Sequence, residues 1–361
     1  PVPGQALCFV ADLVVIDHAR GTVQLIANVL ADNPDKSDAP AADALWHQAQ
    51  DRLDAMQRRL ALPSEAWLAE VDLGVAAEPT SRTKRADFLG AVETAQQRIR
   101  AGDIFQVVIS QRFELDCPAD PIDVYRVLRT LNPSPYMYLL NLSAVDGARY
   151  SIVGSSPEAL VKVQDNRVFT HPIAGSKPRG GTPEEDAGLE EALRSDAKER
   201  AEHLMLVDLA RNDLLKVCVP ASVEVTEFMR VERFSHIMHL VSSVEGDLNP
   251  GADAIDVFRA TFPAGTLSGA PKPRALEIID ELEPAQRGVY GGVVGYFGFA
   301  GDADLAIAIR TATIIDQVAM VQAGGGVVAD SDPASEFQES QNKAAAPLRA
   351  VAVANTMRRV H

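Results

Sequence analysis

The sequence is poor in cysteine. Its 361 residues include only Cys8, Cys117 and Cys218, which lie far apart and form no C-x-x-C pair. An odd, scattered set of cysteines fits neither a disulfide framework nor a structural zinc site. We interpret all three as reduced thiols, which favours a cytoplasmic protein.

Positive charge is also scarce. The 34 lysine and arginine residues are outnumbered by 50 aspartate and glutamate residues, so the net charge at pH 7 is −16. Because nucleic acids and anionic membranes would repel such a chain, we expect neither as a partner. A small anionic substrate stays compatible with this charge if its pocket is locally positive or contains a metal ion.

Other familiar features are missing as well. No apolar run approaches the roughly 20 residues that cross a bilayer, and no signal peptide opens the chain. No phosphate-binding glycine loop occurs in a fitting context, and no Ser-His-Asp or Cys-His arrangement stands out. The chain begins with Pro1, as if already inside a sheet, so we expect that a preceding segment has been removed.

The composition is that of a soluble globular protein, with 47% hydrophobic and 23% charged residues. Residues 74–85 have the composition of a linker and are the only convincing boundary. We therefore expect residues 1–78 to form a separate N-terminal part and residues 83–361 to form one large α+β domain.

Short-range signals predict several elements. Two β-rich runs flank a turn at residues 18–21, a helix covers about 41–60, and another helix ends at Gly102 before a strand in DIFQVVISQRFEL. Further helices begin at Asp196 and at Ser331-Asp332-Pro333. Pro347 should kink or break the last of these helices.

Two Glu-x-x-Glu pairs are the most informative feature. Glu199 and Glu202 form one pair, and Glu336 and Glu339 form the other. Residues i and i+3 share a helix face, so each segment directs two carboxylates the same way. One such pair is usually a solvated helix face, but two pairs favour a site for a cation that prefers oxygen ligands, Mg²⁺ or Ca²⁺.

Three glycines, Gly324, Gly325 and Gly326, precede the second carboxylate helix. Glycine permits positive φ and lets backbone N–H groups approach an anion, although a plain tight turn explains the run equally well. Arg310 is a charge inside the strand-like run LAIAIRTATI and needs a carboxylate from the protein or from a ligand. Lys343 either pairs with Glu339 along the helix or contacts a ligand.

Two further residue types suit proton transfer. Glu158 follows a strand in SIVGSSPEAL, where burial would raise its pKa and suit a general acid, although turn carboxylates are mostly surface residues. His236 and His239 would face opposite sides of a strand, so only one of them reaches a given pocket. A hydrogen-bonded core histidine is the alternative for either.

Ten ordered segments resemble one family, the chorismate-utilising enzymes, and within it anthranilate synthase component I. They span about residues 83–361 and are, in chain order, DIFQVVISQRF, NPSPYMYLLN, IVGSSPEAL, PIAGSKPRG, DAKERAEHLMLVDLARNDL, SHIMHLVSSV, FPAGTLSGAPK, RGVYGGVVGYF, AIAIRTATI and VQAGGGVVADSD with E-x-x-E-x-x-x-K after it.

The resemblance implies an α+β fold in which helices flank a two-sheet β-sandwich, in four layers (α/β/β/α), with the active site between the sheets. It makes residues 1–78 a remnant of an N-terminal subdomain. It also implies Mg²⁺-dependent conversion of chorismate to anthranilate and pyruvate, with ammonia supplied by a glutamine amidotransferase subunit, anthranilate synthase component II.

The resemblance also implies roles for single residues. Glu202 and Glu339 would ligate Mg²⁺, supported by Glu199 and Glu336, and the metal would hold the ring carboxylate of chorismate. Glu158 would protonate the departing C4 hydroxyl, and His239 would lie beside the ring. The positions that match substrate contacts are Gly175, Ser176, Thr266, Tyr290, Arg310, Gly324, Gly325, Gly326 and Lys343.

Three positions separate relatives within the family. Gln106 stands where isochorismate and salicylate synthases carry a lysine that activates water, so ammonia is the expected nucleophile. Ala174 stands where aminodeoxychorismate synthases carry a nucleophilic lysine. Pro135, Tyr136 and Met137 match the segment through which tryptophan inhibits anthranilate synthases. Ser176 departs from the usual threonine.

Three alternatives stay open on the sequence. The first two are a 2-amino-2-deoxyisochorismate synthase, which keeps the enolpyruvyl group, and an aminodeoxychorismate synthase, which Ala174 disfavours. The third is an inactive, truncated chorismate-binding form, which the presence of all four carboxylates and Glu158 disfavours.

Overall fold

The structure, a computed structural model, describes residues 2–30, 39–63, 68–233 and 237–360. Its strands are β1 (Asp12–Asp17), β2 (Thr22–Ala27), β3 (Leu68–Glu70), β4 (Thr80–Ser81), β5 (Gln106–Asp116), β6 (Tyr136–Ser143), β7 (Arg149–Ser156), β8 (Ala159–Gln164), β9 (Arg167–Thr170), β10 (Ile173–Pro178), β11 (Glu224–Arg233), β12 (Ile237–Asp247), β13 (Gly269–Ala270), β14 (Val293–Phe297), β15 (Ala303–Ile307), β16 (Thr311–Ile315), β17 (Val318–Val327) and β18 (Arg358–Val360). Its α-helices are α1 (Ala39–Ala61), α2 (Arg85–Arg100), α3 (Pro121–Leu131), α4 (Pro183–Ser195), α5 (Ala197–Leu214), α6 (Ala254–Thr261), α7 (Lys272–Leu282) and α8 (Pro333–Asn355).

The chain divides into two compact units. The larger comprises Val71–Arg358 with the first few residues of the chain, and the smaller comprises Gln5–Glu70 with the last few. The division at Glu70 lies just before the predicted linker. The assignment of residues 1–78 as a remnant subdomain and of 83–361 as a catalytic domain stays a prediction.

The smaller unit contains the predicted hairpin and helix. Strands β1 and β2 pair antiparallel across the turn at 18–21, and α1 follows, so both predictions are confirmed. Arg52 of α1 donates to Asp12 at 2.7 Å and to the Asn28 carbonyl at 2.8 Å, which fixes the helix against the hairpin.

The larger unit contains two seven-stranded sheets. In one sheet the order is β13-β5-β17-β16-β7-β6, with β4 also paired to β5. In the other sheet the order is β10-β12-β9-β8-β15-β14, with β11 also paired to β12. Helices α2, α3, α7 and α8 pack on the first sheet, and α4, α5 and α6 pack on the second. The predicted α+β sandwich, in four layers, is confirmed.

The alternation of β5 explains how the first sheet faces two environments. Val107, Ile109 and Phe113 point toward the helices and are buried with them in apolar clusters. Gln106, Val108 and Ser110 point to the opposite face, as the period of two requires. The even-numbered positions from Gln106 to Ser110 therefore form the face turned toward the second sheet.

The two carboxylate helices begin where the sequence predicts. The Asp196 carboxylate accepts hydrogen bonds from the backbone N–H groups of Lys198 and Glu199 at the start of α5. Asp332 accepts from the backbone N–H of Ser335 at the start of α8, where Pro333 occupies the first turn. Both caps satisfy backbone donors that a helix start leaves unpaired.

The sequence predicts that Pro347 kinks or breaks the helix; the break is wrong, and the kink stays a prediction. Helix α8 continues through Pro347 to Asn355. A proline inside a helix costs about 3 kcal/mol because it removes one backbone hydrogen bond. The apolar face of α8, including Leu348, Val351 and Val353, is buried against the first sheet, and this packing outweighs the loss.

The glycine run is neither a turn nor a loop with positive φ. Gly324, Gly325 and Gly326 lie inside β17 and pair with Ser110, Ile109 and Val108 of β5. A Cβ at Gly324 would lie 2.8 Å from the Cα of Ser110. The glycines are therefore needed for close approach of the neighbouring backbone, and the predicted turn is wrong.

The first sheet, the second sheet and helices α5 and α8 are the elements that frame the site described below. In the part of the chain that the structure describes, no helix has the length and apolar content to cross a membrane.

Candidate active site

A cavity of about 600 Å³ lies in the larger unit, between the two sheets. Its walls come from β5 and β17 of the first sheet, from β10 and β12 of the second, and from α5 and α8. A volume in this range accommodates a small organic molecule. The side chains that line this cavity form the candidate site.

All four glutamates of the two pairs line the cavity. Burial raises the pKa of Glu199, Glu202 and Glu336, and neighbouring negative charges raise it further. The Glu202 carboxylate accepts a hydrogen bond from Gln106 Nε2 at 3.2 Å, and Glu339 pairs with Lys343 Nζ at 2.6 Å. The arrangement crowds negative charge into one place and so favours a bound cation.

The donor set fits Mg²⁺. Within the described ranges, no three acidic, histidine or cysteine side chains lie close enough together to share a metal ion. Mg²⁺ requires fewer protein ligands, because it is usually held by one or two carboxylates, waters and an anionic substrate. One buried oxygen, Glu336 Oε2, also has no hydrogen-bond partner among the described residues. The predicted ligand roles stay predictions.

Gly325 explains how α8 comes so close to the first sheet. It faces α8, and a Cβ there would collide with the Glu336 carboxylate and lie 3.6 Å from Glu339 Oε1. Gly325 therefore does not line the cavity, whereas Gly324 and Gly326 do. Its predicted contact with substrate stays a prediction, and the geometry instead gives it a role in seating the carboxylate helix.

Glu158 is the carboxyl group with the most perturbed acidity in the cavity. Burial raises its pKa to about 7, and only a hydrogen bond from Thr266 and the charge of Lys343 act in the other direction. Thr266 Oγ1 donates to Glu158 Oε1 at 2.9 Å. A carboxyl group that stays protonated near neutral pH can act as a general acid, as the sequence predicts.

Two positively charged side chains singled out in the sequence, Arg310 and Lys343, also line the cavity. Arg310 sits between β15 and β16, not within a strand, and its φ of 51° is in the left-handed region. Among the described residues it has no carboxylate partner, and burial lowers its pKa. Lys343 Nζ also donates to the Gly324 carbonyl at 3.1 Å. The strand placement of Arg310 is wrong, and its free guanidinium favours a ligand carboxylate.

His239 is held in one tautomer by β10. Its Nδ1 donates to the Gly175 carbonyl at 3.1 Å, because a carbonyl oxygen only accepts. Burial, together with the charges of Arg310 and Lys343, lowers the pKa of His239. The imidazole is therefore neutral, with Nε2 as the acceptor atom of the ring. His236 lies outside the described residues.

Gly175 occupies a position that only glycine tolerates well. Its φ is 80°, and a Cβ would lie 3.1 Å from Glu199 Oε2 and 3.3 Å from Leu240 Cδ1. The neighbouring backbone N–H of Ser176 hydrogen-bonds to the Glu199 carboxylate. The bulge in β10 at this point thus brings the strand against the first glutamate pair.

The cavity brings together most of the residues singled out in the sequence. Those that line it are Gln106, Glu158, Gly175, Ser176, Glu199, Glu202, His239, Thr266, Tyr290, Arg310, Gly324, Gly326, Glu336, Glu339 and Lys343. Pro135, Tyr136 and Met137 do not line it. Tyr136 instead donates to Asp304 at 3.0 Å across the two sheets, and the predicted role of this segment in tryptophan binding stays a prediction.

Sequence reasoning missed other polar residues in the cavity wall, chiefly Asn132, Lys198 and Gln322. Each had a usable signal. Asn132 opens NPSPYMY, Lys198 stands directly before Glu199, and Gln322 alternates with Gly324 and Gly326 along β17. The period of two would have placed Gln322 on the cavity face.

Comparison with known proteins agrees with this geometry. The model of the chorismate binding enzyme family matches residues 3–349. The chain is 56% identical over 362 residues to anthranilate synthase component 1 of Arthrobacter globiformis, an alignment that covers 99% of this chain and 68% of that protein. It is 52% identical to the same component of Mycolicibacterium smegmatis, covering 99% and 67%.

A solved structure is also similar. The crystal structure of anthranilate synthase component I from Streptococcus pneumoniae superposes with a TM-score of 0.80 at 41% identity, covering 94% of this chain and 72% of that one. The fold and the site define a chorismate-binding enzyme. The chain belongs to that family and, within it, to the anthranilate synthase component 1 group.

The hydrogen bond from Thr266 predicts how the acidity of Glu158 can be changed. Thr266→Val removes the donor that lowers the pKa of Glu158, so this pKa should rise above about 7. ¹³C NMR of labelled glutamate side chains across pH 5–9 measures it, with Glu158→Gln to assign the signal. An unchanged or lower pKa in Thr266→Val would contradict the assignment.

The raised pKa of Glu158 also predicts how the free energy of unfolding depends on pH. The folded protein holds this proton more tightly than the unfolded chain, whose pKa is near 4.5. The contribution of Glu158 to stability is therefore fully present below that value and is lost as the pH rises through about 7. Glu158→Gln should remove this part of the pH dependence of unfolding.

Proposed function

We propose that the chain is the large subunit of anthranilate synthase. It converts chorismate and ammonia to anthranilate, pyruvate and water in tryptophan biosynthesis, and the ammonia comes from glutamine through an amidotransferase subunit. The observation that carries the proposal is one cavity that combines two glutamate pairs, an arginine with no carboxylate partner among the described residues, and a carboxyl group of raised pKa. Three reduced cysteines support a cytoplasmic location.

The charges of the cavity match those of chorismate, which is a dianion. Its ring carboxylate would face Glu202 and Glu339, which would hold Mg²⁺ with support from Glu199 and Glu336. When bound, Mg²⁺ neutralises the glutamates and polarises that carboxylate. The enolpyruvyl carboxylate would pair with Arg310, which has no carboxylate partner among the described residues. Tyr290 and Lys343 both hydrogen-bond to the Gly324 backbone and would lie beside the enolpyruvyl carboxylate.

Glu158 supplies the proton for the first chemical step. As ammonia forms a bond to C2, both ring double bonds shift by one position, from C1–C2 to C1–C6 and from C5–C6 to C4–C5, and the C4–O bond breaks. Glu158 protonates the C4 hydroxyl, which leaves as water, and the new ammonium group releases one proton. Hydroxide is a poor leaving group, so this proton transfer contributes about 10²- to 10⁴-fold to the rate.

The second step removes the enolpyruvyl group as pyruvate. It requires loss of the C2 proton, transfer of a proton to the methylene carbon and cleavage of the C3–O bond. His239 is neutral and presents Nε2 as an acceptor, so it can take a proton beside the ring. We assign the base of this elimination to His239.

The choice of ammonia over water follows from two positions. Gln106 cannot act as a base, and its amide donates to Glu202. Ala174 is buried in β10 and offers no nucleophile for a covalent route to a 4-amino product. Both residues leave ammonia addition at C2 as the reaction that the cavity supports best.

The proposal is tested with the full chain, chorismate, Mg²⁺ and ammonium at alkaline pH. We expect anthranilate, detected by fluorescence, and an equal amount of pyruvate, detected with lactate dehydrogenase. Amino product without pyruvate would indicate a 2-amino-2-deoxyisochorismate synthase instead. Bound chorismate with no turnover in folded protein would refute the proposal. Glu158→Gln should lower kcat by about 100-fold or more.

The ranking of the four glutamates gives a further prediction. Glu339→Ala should abolish Mg²⁺-dependent activity and weaken Mn²⁺ binding, measured by electron paramagnetic resonance, while circular dichroism stays unchanged because Glu339 is exposed. Glu336→Ala, one turn earlier on α8, is the matched variant and should weaken both less. An active Glu339→Ala protein would contradict the ranking.

A further inference from the structure

A buried arginine outside the cavity joins three of its walls. Arg287 lies after α7, and its side chain is 17% exposed. It donates through Nη1 to the Leu267 carbonyl at 2.5 Å and through Nη2 to the Val108 carbonyl at 2.7 Å. Its guanidinium also lies 5.5 Å from the centre of the Tyr290 ring. Leu267, Val108 and Tyr290 all line the cavity.

Glu283 is the counter-ion that fixes Arg287. The two side chains form a bidentate pair, Nε to Oε2 at 2.8 Å and Nη2 to Oε1 at 2.6 Å. The Glu283 side chain is only 4% exposed, so Arg287 and hydrogen-bond donors of the protein, rather than water, compensate most of its charge. Removing one partner of such a pair leaves the other charge buried and uncompensated, so the two side chains hold each other in place.

The hydrogen bonds beyond Glu283 have a fixed direction. Ser110 donates to Glu283 Oε1 from its backbone N–H at 2.8 Å and from its hydroxyl at 2.7 Å. Because that hydroxyl proton is used, Ser110 Oγ must accept from Gln322 Nε2, which lies at 2.8 Å. Hydrogen bonds thus link Arg287, through Glu283, to Ser110 on β5 and to Gln322 on β17.

Each wall that Arg287 touches holds a residue of the proposed reaction. Leu267 directly follows Thr266, whose hydroxyl donates to Glu158. Val108 pairs with Gly326 in the floor of the cavity. The Tyr290 hydroxyl hydrogen-bonds to Gly324. A shift of Arg287 would therefore move the general acid and the enolpyruvyl end together.

Only a guanidinium can make this set of contacts. The Arg287 guanidinium makes four N–H···O hydrogen bonds, and its Cζ also lies over the Tyr290 ring. Lysine has the same charge but lacks the planar fork, so it cannot reach two carbonyls and both carboxylate oxygens at once. This makes Arg287→Lys a test of geometry at constant charge.

We propose that Arg287, paired with Glu283, is a positioning residue that sets Tyr290 and the Thr266 turn for chorismate. The inference rests on the proposed function for its chemistry. The expected effect on chorismate binding needs only the membership of the chorismate binding enzyme family.

The test compares Arg287→Lys with Arg274→Met, a variant of another arginine in the same region. Arg274 pairs with Asp103 and Glu277 and does not line the cavity. In Arg287→Lys we expect kcat/KM for chorismate to fall by about 100-fold, since a displacement near 1 Å costs that much. The Kd for chorismate should rise in parallel, whereas the KM for ammonium stays unchanged. Arg274→Met should leave all three unchanged.

A double-mutant cycle with Tyr290→Phe separates positioning from general destabilisation. If Arg287 acts through Tyr290, Arg287→Lys should cost clearly less in the Tyr290→Phe background, because coupled residues are not additive. Glu283→Gln keeps the acceptor for Ser110 but removes the charge, so it should shift Kd in the same direction by about 10-fold. It serves as the second variant if Arg287→Lys does not fold.

The outcomes distinguish the two proposals. Wild-type protein that binds chorismate without forming anthranilate would refute the proposed function, while Kd still judges Arg287. The inference on Arg287 is overturned if Arg287→Lys and Glu283→Gln bind chorismate as the wild type does, or if the cycle with Tyr290→Phe is additive.

Discussion

Repulsion among four glutamates is the constraint on which the rest of the site depends. They project from α5 and α8, which belong to different layers, so each helix must be held firmly against its own sheet. His203 of α5 hydrogen-bonds to Ser242 of β12 at 2.7 Å, and Gln111 of β5 donates to Ser340 of α8 at 2.6 Å. All four of these residues are buried. His203 directly follows Glu202, and Ser340 directly follows Glu339. Each hydrogen bond therefore fixes the backbone next to a predicted metal ligand.

The two sheets and the connections between them contribute the other residues of the cavity. The first sheet contributes a floor of small residues. Arg310, in the connection from β15 of the second sheet to β16 of the first, is held in a strained backbone conformation of the kind that concentrates at functional sites. The second sheet contributes His239 and the bulge at Gly175, and Glu158 lies in the connection between β7 of the first sheet and β8 of the second. Negative charge that needs a cation and positive charge that needs an anion therefore line one cavity of about 600 Å³. A dianionic substrate with a bound divalent cation satisfies both.

Much of this arrangement was predictable because it depends on local patterns. The caps at Asp196 and Asp332 and the alternation in β5 are decided within a few residues, and the structure contains them. The glycine run, Arg310 and Pro347 were misplaced because their conformations depend on packing partners distant in the sequence. Gly324 is glycine because of Ser110, more than two hundred residues earlier. The roles of the cavity residues rest on resemblance and geometry together, and neither gives them alone.

The measurement that tests the central claim most directly is the affinity for chorismate with and without Mg²⁺, by isothermal titration calorimetry on the full chain. If the glutamate pairs hold the ring carboxylate through the metal, Mg²⁺ should strengthen chorismate binding by about 100-fold, and chorismate should strengthen Mg²⁺ binding by the same factor. Equal chorismate affinity in Mg²⁺ and in a chelator would contradict the account.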